Sequence, residues 1–348
     1  MKGFAKYIWL LAAAIVVLLC VRGLKWMADN KWSNLQQDKE LYIYPSTPVQ
    51  EVLDSLSACV KRKGSLERTF RDKQVEKYLT PGHYSFREGA TSVFIARSLN
   101  NGWQSPVNLT LSGSLRLKGD IARKIAAQMM VDSSQVASAL EDEALLSKLG
   151  FTPSTVFALF IPDTYEMFWT ASVEEILETQ KAAYDNFWTK EKLDRAAALG
   201  LDKLQVSILA SIVKGESRMK SDFPKIAGVY LNRIHKGMLL QADPTVAFCF
   251  DYTLDRILLK HLSVDSPYNT YKYKGLPPGP ICVPDKDYLE AVLDPDYGGG
   301  NLFFCADPSF DGSHRFASTF AEHRQNAIAF QKALNARAKN ARVKDSKQ

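Results

Sequence analysis

The chain has 348 residues, of which 46% are hydrophobic and 24% are charged. At about 150 residues per domain this length predicts roughly two folded domains, and the composition excludes disordered, collagen-like and low-complexity proteins. The formal net charge is +6, and residues 335–348 carry five Lys and Arg against one Asp. The rest of the chain is nearly neutral, which excludes a basic nucleic-acid-binding body and predicts a solvated, frayed basic tail over 335–348.

The N-terminus contains one uncharged apolar run, YIWLLAAAIVVLLCV, over residues 7–21, preceded by Lys2 and Lys6. The run is shorter than the roughly 20 residues that span a bilayer. Snorkelling Lys and Arg, and the apolar residues that follow, extend it to residue 28. No A-x-A-like cleavage site follows, so we predict an uncleaved transmembrane anchor over 7–28 rather than a signal peptide.

The orientation of this anchor follows from its short head, residues 1–6, which carries two Lys and is expected to stay in the cytoplasm. The rest of the chain would then lie outside the cytoplasm. Disulfides are permitted there, although the spacing of the cysteines does not predict which would pair.

Four segments follow the anchor. The polar residues 29–40 predict a linker. Residues 41–120 alternate between strand and helix patterns, residues 121–200 are mainly helical, and residues 201–334 carry most of the unusual composition. Together these patterns predict an α+β chain.

Local patterns predict individual elements in these segments. Strands are expected at LYIY, at GHYSF (82–86) and at VNLTLSG, and helices at 49–56 and 92–99. The sequence FIPDTYEMFW at 160–169, with its central proline and four aromatic residues, predicts an aromatic loop.

One carboxylate lies where the apolar side of a predicted helix ends. In LQVSILASIVKGES (204–217) apolar residues recur at helical spacing, and Glu216 falls four residues after Ile212 and seven after Leu209. Glu216 therefore continues the apolar stripe, and an apolar environment raises the pKa of a carboxyl group toward neutrality, which suits a general acid. An exposed Glu at a fraying helix end is the alternative that this pattern leaves open.

Loops rich in Pro, Gly, Tyr, Asn and Thr follow a second predicted helix, IAGVYLNRIHKG, which ends at Gly237. Their sequences are MLLQADPTV and SPYNTYKYKGLPPGPI. Rigid turns that carry amides, hydroxyls and aromatic faces are typical of a cleft that binds sugars, because sugars offer hydroxyl groups, apolar ring faces and little charge. Ordinary loops with core tyrosines remain the alternative.

Other chemical motifs are weaker. The five His are scattered without an H-x-x-x-H pair, so we predict no metal site. Ser211 and Lys214 match S-x-x-K, the acylating motif of penicillin-binding proteins, but K-T-G is absent and Ser211 lies inside an apolar helix.

Several long stretches resemble, in the same order, the MltG (YceG-like) family of endolytic peptidoglycan transglycosylases. They are ASIVKGES (210–217), IAGVYLNRIHKGMLLQADPTV (226–246), YNTYKYKGLPPGPI (268–281) and GSHRFASTFAEH (312–323), with GHYSF and LFIPDTYE (159–166) upstream. The resemblance extends from about residue 41 to residue 334. It makes Glu216 the main candidate for the catalytic residue.

The resemblance also implies an organisation and a set of site residues. It implies a single-pass inner-membrane anchor, a LysM-like membrane-proximal region over 41–120 and a lytic-transglycosylase-like catalytic domain over 201–334. The helical region that the patterns predict over 121–200 would connect these two parts. The essential acid would be Glu216, with no cofactor. The further cleft and substrate-binding residues that it implies are Asn232, Gln241, Asp243, Thr245, Tyr268, Asn269, Thr270 and His314.

The sequence departs from the family pattern at a few positions. Lys214-Gly215-Glu216 stands where the family often has E-K-E, so a first Glu is missing, and it would lie on a different helix face from Glu216. We expect that first Glu to be dispensable. Ala242 stands where Ser or Thr is usual, and Arg324 where Asn is usual.

The activity implied is cleavage of the β-1,4 bond between MurNAc and GlcNAc of nascent peptidoglycan, with 1,6-anhydroMurNAc ends and termination of glycan strand elongation. Glu216 would protonate the glycosidic oxygen and then take the proton of the MurNAc 6-hydroxyl as this closes on C1. The partners implied are glycan strands, the membrane and peptidoglycan synthases, with no nucleic acid.

Three alternatives remain at this point. A non-catalytic peptidoglycan-binding scaffold would tolerate Glu216→Gln. A hydrolase of the same bond would use a second carboxylate, Asp243 or Asp222, and would leave reducing ends. An acylating enzyme would use Ser211 and would be labelled by a β-lactam.

Overall fold

The computed structural model describes residues 2–345, with side chains over residues 6–339. The chain divides into two compact units. Unit 1 comprises the chain up to Leu109 together with residues 128–131 and 165–171, and unit 2 comprises residues 110–127, 132–164 and the chain from Ser172 onward. The mixture of helices and small sheets confirms the α+β prediction at that level.

Unit 1 begins with a long helix and continues as a short strand, three helices, a second strand and a further helix. These elements are α1 (Lys2–Asn30), β1 (Lys39–Ile43), α2 (Val49–Ser57), α3 (Lys63–Asp72), α4 (Val75–Tyr78), β2 (Gly82–Phe86) and α5 (Ser92–Asn101). β1 and β2 pair antiparallel, with Leu41 opposite Tyr84. Both of these side chains belong to a core that α2, α3 and α5 complete, so the strands and helices predicted here are confirmed.

The helix α1 is long and apolar enough to cross a membrane over Lys6–Asn30, and its most apolar 18-residue window has a mean hydropathy of 2.3. Its side chains are exposed from residue 6 to residue 27. The last turn packs on α3 instead, where Asp29 pairs with Arg68 at 2.8 Å and the Ser65 hydroxyl donates to the Ala28 carbonyl. The end of the apolar helix is therefore fixed to unit 1.

The linker expected over residues 29–40 is part of the packing of unit 1. Asn34 and Leu35 are fully buried. The Arg62 amide donates to Asn34 Oδ1 at 2.8 Å, and Asn34 Nδ2 donates to Ser92 Oγ at 2.9 Å. The prediction of a linker came from the polar composition of this segment. One of its polar groups, the Asn34 amide, is instead buried and hydrogen-bonded to distant parts of the chain, because a buried amide needs partners.

The remaining elements lead into and form unit 2. They are β3 (Pro106–Leu111), α6 (Lys118–Ala126), α7 (Ser133–Ala139), α8 (Glu143–Lys148), β4 (Asp163–Phe168), α9 (Val173–Phe187), α10 (Lys190–Ala198), α11 (Lys203–Glu216), α12 (Phe223–His235), α13 (Asp243–Cys249), α14 (Lys286–Leu293), β5 (Phe303–Ala306), β6 (His314–Ala317) and α15 (Phe320–Asp345). β5 and β6 form an antiparallel hairpin. The predicted helical region over 121–200 falls mainly in unit 2.

Two predicted segments differ in the structure. The aromatic loop expected at 160–169 contains β4, which pairs with β3. Pairing with a strand more than fifty residues earlier supplies the hydrogen bonds, and no local pattern reveals such a partner. The frayed tail expected from residue 335 is helical as far as Asp345 because it continues α15, and the Arg337 guanidinium lies 4.9 Å from the centre of the Phe310 ring.

The core of unit 2 surrounds α11. Asp202 caps this helix, since its side chain accepts from the Gln205 amide while the Gln205 side chain accepts from the Asp202 amide. Every residue from Val206 to Val213 is buried, and α10, α12, α13 and α14 pack around the helix. The rigid surroundings of α11 fix the position of its last residue. All five cysteines of the chain are unpaired thiols.

Candidate active site

Glu216 is the last residue of α11, and Tyr230 of α12 is its hydrogen-bond partner. The Tyr230 hydroxyl donates to Glu216 Oε1 at 2.6 Å, and the Tyr230 side chain is buried. Burial raises the pKa of Tyr230 well above its ordinary value, so the phenol keeps its proton and remains the donor. Because Oε1 is the acceptor in this bond, a proton on the carboxyl group is carried by Oε2.

The environment of Glu216 raises its pKa to about 7. The largest cause is desolvation of the carboxyl group, and the negative charge of Asp243 adds to it. The Tyr230 hydrogen bond and the positive charge of Arg233 oppose the rise. A carboxyl that is about half protonated at neutral pH suits general acid catalysis, so the apolar position that the sequence predicted has the expected electrostatic result.

Two cavities meet at Glu216. The first cavity has a volume of about 580 Å³ and lies between the end of α11, the β5–β6 hairpin and α15. The second cavity has a volume of about 490 Å³ and lies on the side of α13 and α14. Glu216 and Arg218 line both. An extended ligand could therefore occupy space on both sides of the carboxyl group.

The second cavity places Asp243 near Glu216. Asp243 begins α13 and is exposed, and its Oδ1 accepts a hydrogen bond from the Tyr271 hydroxyl at 2.5 Å. α13 lies close to α11 because residue 215 is glycine: a Cβ there would be 2.4 Å from Cβ of Pro244. The departure from the family pattern at Gly215 therefore coincides with close packing of the two helices that carry Glu216 and Asp243.

The first cavity contains His314, the first residue of β6. Both its main-chain amide and its ring Nδ1 lie within hydrogen-bond distance of Asp222 Oδ2, at 2.9 Å and 3.0 Å. Asp222 is buried. Aromatic packing closes another wall of this cavity, where the Phe310 and Phe330 ring centres lie 5.5 Å apart.

Three of the residues implied by the resemblance are enclosed and use their polar groups inside the protein. Thr245 and Asn269 are fully buried, and Thr270 is 2% exposed. The hydroxyls of Thr245 and Thr270 are 2.9 Å apart. Asn269 Nδ2 donates to the carbonyls of Leu262 and Val264 at 2.9 Å and 2.8 Å. The Thr245–Thr270 contact joins α13 to the segment around residue 270, and none of the three residues lines either cavity.

Three further implied residues line neither of the two cavities. Asn232 Nδ2 donates to the Asn301 carbonyl at 2.9 Å. Gln241 is exposed and has a positive φ of 54°. Tyr268 packs on Phe248, with their ring centres 4.6 Å apart. Of the residues implied, the structure thus brings Glu216, Asp243 and His314 to the cavities.

The acylating alternative is wrong, because Ser211 is fully buried. Its hydroxyl donates to the Ile208 carbonyl at 2.7 Å and accepts from the Ile281 amide at 3.0 Å. Lys214 Nζ lies 2.8 Å from Asp285 Oδ2 and is engaged there. A serine with its hydroxyl held in the core cannot reach a substrate.

Sequence reasoning missed Tyr230 as a functional residue and named Asp222 only as a spare carboxylate. Tyr230 falls four residues after Ile226 on the buried face of α12, which is a signal for the core and not for a partner of Glu216. No signal joins Asp222 to His314, because they are 92 positions apart. Within residues 6–339, no group of three or more His, Cys, Asp and Glu is arranged to hold a metal ion.

The model of the YceG-like family matches residues 41–329. The endolytic murein transglycosylase of Bacillus subtilis (strain 168) is 27% identical over 324 residues, which cover 84% of this chain and 85% of the relative. That of Streptococcus pneumoniae serotype 2 is 25% identical over 279 residues, which cover 71% of this chain and 50% of the relative. The crystal structure of a YceG-like protein of Listeria monocytogenes is similar with a TM-score of 0.55 and 25% identity, over 83% of this chain and 98% of that one. Since the family model spans most of its length, the chain belongs to the YceG-like family.

Proposed function

We propose that this chain is a membrane-anchored endolytic murein transglycosylase and that Glu216 is its catalytic acid. The observation that carries the proposal is a carboxyl group with its pKa raised to about 7 at the meeting point of two cavities. The names of the Bacillus and Streptococcus relatives support the same activity. Space on both sides of Glu216 suits cleavage within a strand.

The reaction needs one carboxyl group. The proton on Glu216 Oε2 passes to the oxygen that joins MurNAc C1 to GlcNAc, and the C1–O bond breaks. The 6-hydroxyl oxygen of the same MurNAc bonds to C1, and its proton restores the Glu216 carboxyl group. The product is a 1,6-anhydroMurNAc end. Because the nucleophile belongs to the substrate itself, its effective concentration is high.

The engagement of the other carboxylates favours transfer over hydrolysis. Glycosidases that hydrolyse usually need a second carboxylate for water or for covalent attack. Asp222 is buried and bonded to His314. Asp243 faces the second cavity but is bonded to Tyr271. Asp243 is therefore the residue that keeps hydrolysis as the second candidate function.

The location follows from the apolar helix α1. We propose a single-pass anchor over residues 7–28 in the bacterial inner membrane, with residues 1–6 in the cytoplasm and the catalytic domain, over 201–334, outside it. Glycan strands are the substrate, and peptidoglycan synthases are the proposed protein partners. Anchoring would keep the enzyme near newly made strands.

For the membrane-proximal region over 41–120 we propose a LysM-like glycan-binding role. Its support is the order strand, helices, strand, with β1 and β2 antiparallel. A groove of about 440 Å³ lies beside them, lined by Tyr44, Thr47, Gln50 and Glu76 among others. Tyr44 is 50% exposed. Tyr44→Ala is expected to weaken glycan binding and to leave the chemical step unchanged.

The test uses the full chain in detergent, since the last turn of α1 packs on α3. Uncrosslinked glycan strands are incubated with the protein and with Glu216→Gln, and the products are analysed by mass spectrometry. Ends lighter by one water than hydrolysis products, absent with the variant, are expected. Ends of full hydrolytic mass would establish a hydrolase, and equal cleavage by the variant would remove Glu216 from the mechanism.

A further inference from the structure

The Asp222–His314 pair joins the start of α12 to the start of β6. Asp222 is 3% exposed, and one of its oxygens, Oδ2, lies within hydrogen-bond distance of both the main-chain amide and the ring Nδ1 of His314. A buried carboxylate is costly unless it is hydrogen-bonded. The pair is therefore a fixed part of the site and not a chance surface contact.

This arrangement assigns the tautomer of His314. A carboxylate can only accept hydrogen bonds, so Nδ1 carries the proton that it donates to Asp222. In the neutral ring, Nε2 is then an acceptor. Nε2 has no protein partner among the described residues, and it is not among the enclosed polar atoms that lack one. Since His314 lines the first cavity, we infer that Nε2 faces this space.

The ring of Phe304 connects His314 to the partner of Glu216. The ring of Phe304 packs edge to face against Tyr230 on one side, with centres 5.9 Å apart, and against His314 on the other, with centres 5.5 Å apart. Tyr230 in turn holds Glu216 at 2.6 Å. The acid and the histidine are thus supported by one packed cluster and open onto the same cavity.

We propose that His314 binds a sugar hydroxyl of the substrate through Nε2 in the first cavity, and that Asp222 is a positioning residue that keeps this nitrogen an acceptor. With Nδ1 donating to Asp222, Nε2 is the ring atom left to meet a hydroxyl donor. The inference rests on the proposed function, because it takes a glycan as the ligand of the cavity. It gives Asp222 a role different from that of a second catalytic carboxylate.

Asp222→Leu tests the tautomer while keeping a side chain of similar size. Leu cannot accept a hydrogen bond, so Nδ1 loses the acceptor that holds its proton, and the proton can move to Nε2 and turn the acceptor into a donor. We expect a 10- to 100-fold loss of kcat/KM, the size of one lost or mismatched hydrogen bond to a substrate group. Asp287→Leu, at an exposed carboxylate paired with Lys220, is the matched control and should retain wild-type activity.

His314→Asn and His314→Gln test the acceptor itself. Asn keeps a donor at the position of Nδ1 but has no atom at the position of Nε2, whereas the longer Gln can place its carbonyl oxygen there. His314→Asn should lose as much activity as Asp222→Leu, and His314→Gln should recover several-fold of that loss. This pair decides the question even if Asp222→Leu does not fold. Equal activity of Asn and Gln at position 314 would overturn the acceptor role.

A double variant and ring ¹⁵N spectra of the full chain separate positioning from simple structural support. Asp222→Leu combined with His314→Asn should be no less active than the weaker single variant, because both act on one bond. The His314 signals, identified by their loss in His314→Asn, should report a proton on Nδ1 in the wild type and on Nε2 in Asp222→Leu. Multiplying losses or an unchanged tautomer would overturn the inference. Failure of the wild type to release anhydro ends would instead count against the proposed function, whatever the tautomer.

Discussion

The two cavities that meet at Glu216 are built differently. Around the second cavity, charged and phenolic groups are paired with one another, as Lys214 is with Asp285 at 2.8 Å and Tyr271 is with Asp243 at 2.5 Å. The first cavity has an aromatic wall, and its histidine has a ring nitrogen without a protein partner among the described residues. On the second side, the charge of Asp243 adds to the rise in the pKa of Glu216. On the first side, His314 offers a free acceptor.

The largest expected effect is that of Glu216→Gln on activity. Gln has nearly the same shape and can accept the Tyr230 hydrogen bond, but it has no proton to give to the glycosidic oxygen. We expect release of anhydro ends to fall by at least about a thousandfold. Near-normal turnover in a variant that circular dichroism shows to be folded would mean that Glu216, the residue shared by the two cavities, is not the acid.

The pH dependence of the wild type should follow protonation of Glu216. Its pKa is about 7, and the protonated form is the active one. As far as Glu216 alone determines it, kcat/KM should therefore be constant below pH 7 and fall about tenfold per pH unit above pH 7. Tyr230→Phe removes the hydrogen bond that lowers this pKa, so its descending limb should lie at higher pH. If the descending limb of that variant were unchanged, the limb would not report the titration of Glu216.

Glu216→Gln should also change stability in a pH-dependent way. The folded pKa of Glu216 lies above the ordinary value of 4.5, so between these values the folded state holds more protons than the unfolded state. Stability of the wild type is lost as the pH rises through this range, and the loss is complete above pH 7. We expect the variant to be more stable than the wild type by roughly 3 kcal/mol at pH 8 and by much less at pH 4.5. Denaturant unfolding at the two pH values measures the difference, and an equal difference at both would contradict it.

Gly215→Ala should disturb the second cavity alone. The new Cβ would lie 2.4 Å from Cβ of Pro244, in a rigid ring that cannot turn away. α13 would have to move away from α11 and take Asp243 with it, and we expect about a tenfold loss of kcat/KM together with a loss of 1–3 kcal/mol in stability. Gly64→Ala, within α3, where the nearest atom to the new Cβ is 3.5 Å away on the Arg68 side chain, is the steric control. An equal loss of activity in both variants would show that crowding against α13 is not the cause.

The smallest expected effect belongs to Asp243→Asn. The charge of Asp243 raises the pKa of Glu216, so its removal should move the descending limb to lower pH and reduce activity at pH 7 by a few-fold. Asn can still accept the Tyr271 hydrogen bond. Asp265→Asn removes a carboxylate with a similar tyrosine partner, Tyr273, and should leave the limb unchanged. A large loss at every pH, with the limb unmoved, would instead favour a direct catalytic role for Asp243.

The sequence predicted those parts of the molecule whose causes are local. The helix that ends at Glu216 follows from its apolar spacing and from the Asp202 cap, and the raised pKa follows from the apolar position of the carboxyl group. β1, β2 and α5 likewise follow from strand patterns and from Gly102, which ends α5 in the left-handed conformation. In these elements, residues close together in the sequence determine the local structure.

The sequence could not predict features that depend on distant partners. The partner strand of β4 lies far away in the chain, so its segment was expected to be a loop. The partners of Asn34, at Arg62 and Ser92, are also distant in sequence, so residues 29–40 were expected to be a linker. At the site, Asp222 meets His314 only through the fold. The family resemblance identified the stretches, but it could not separate His314 in a cavity from Thr245 and Thr270 in the core, since all three lie in matching motifs.

The continuation of α15 has a practical consequence for anyone who shortens or tags this protein. Its composition suggests a natural cut after residue 334, yet Arg337, beyond that point, lines the first cavity and lies over Phe310. A version trimmed there would lose one residue of the cavity lining while keeping every residue of the catalytic motifs. Affinity tags are therefore better placed elsewhere, and a weakly active trimmed enzyme should not be read as a defect in the chemistry of Glu216.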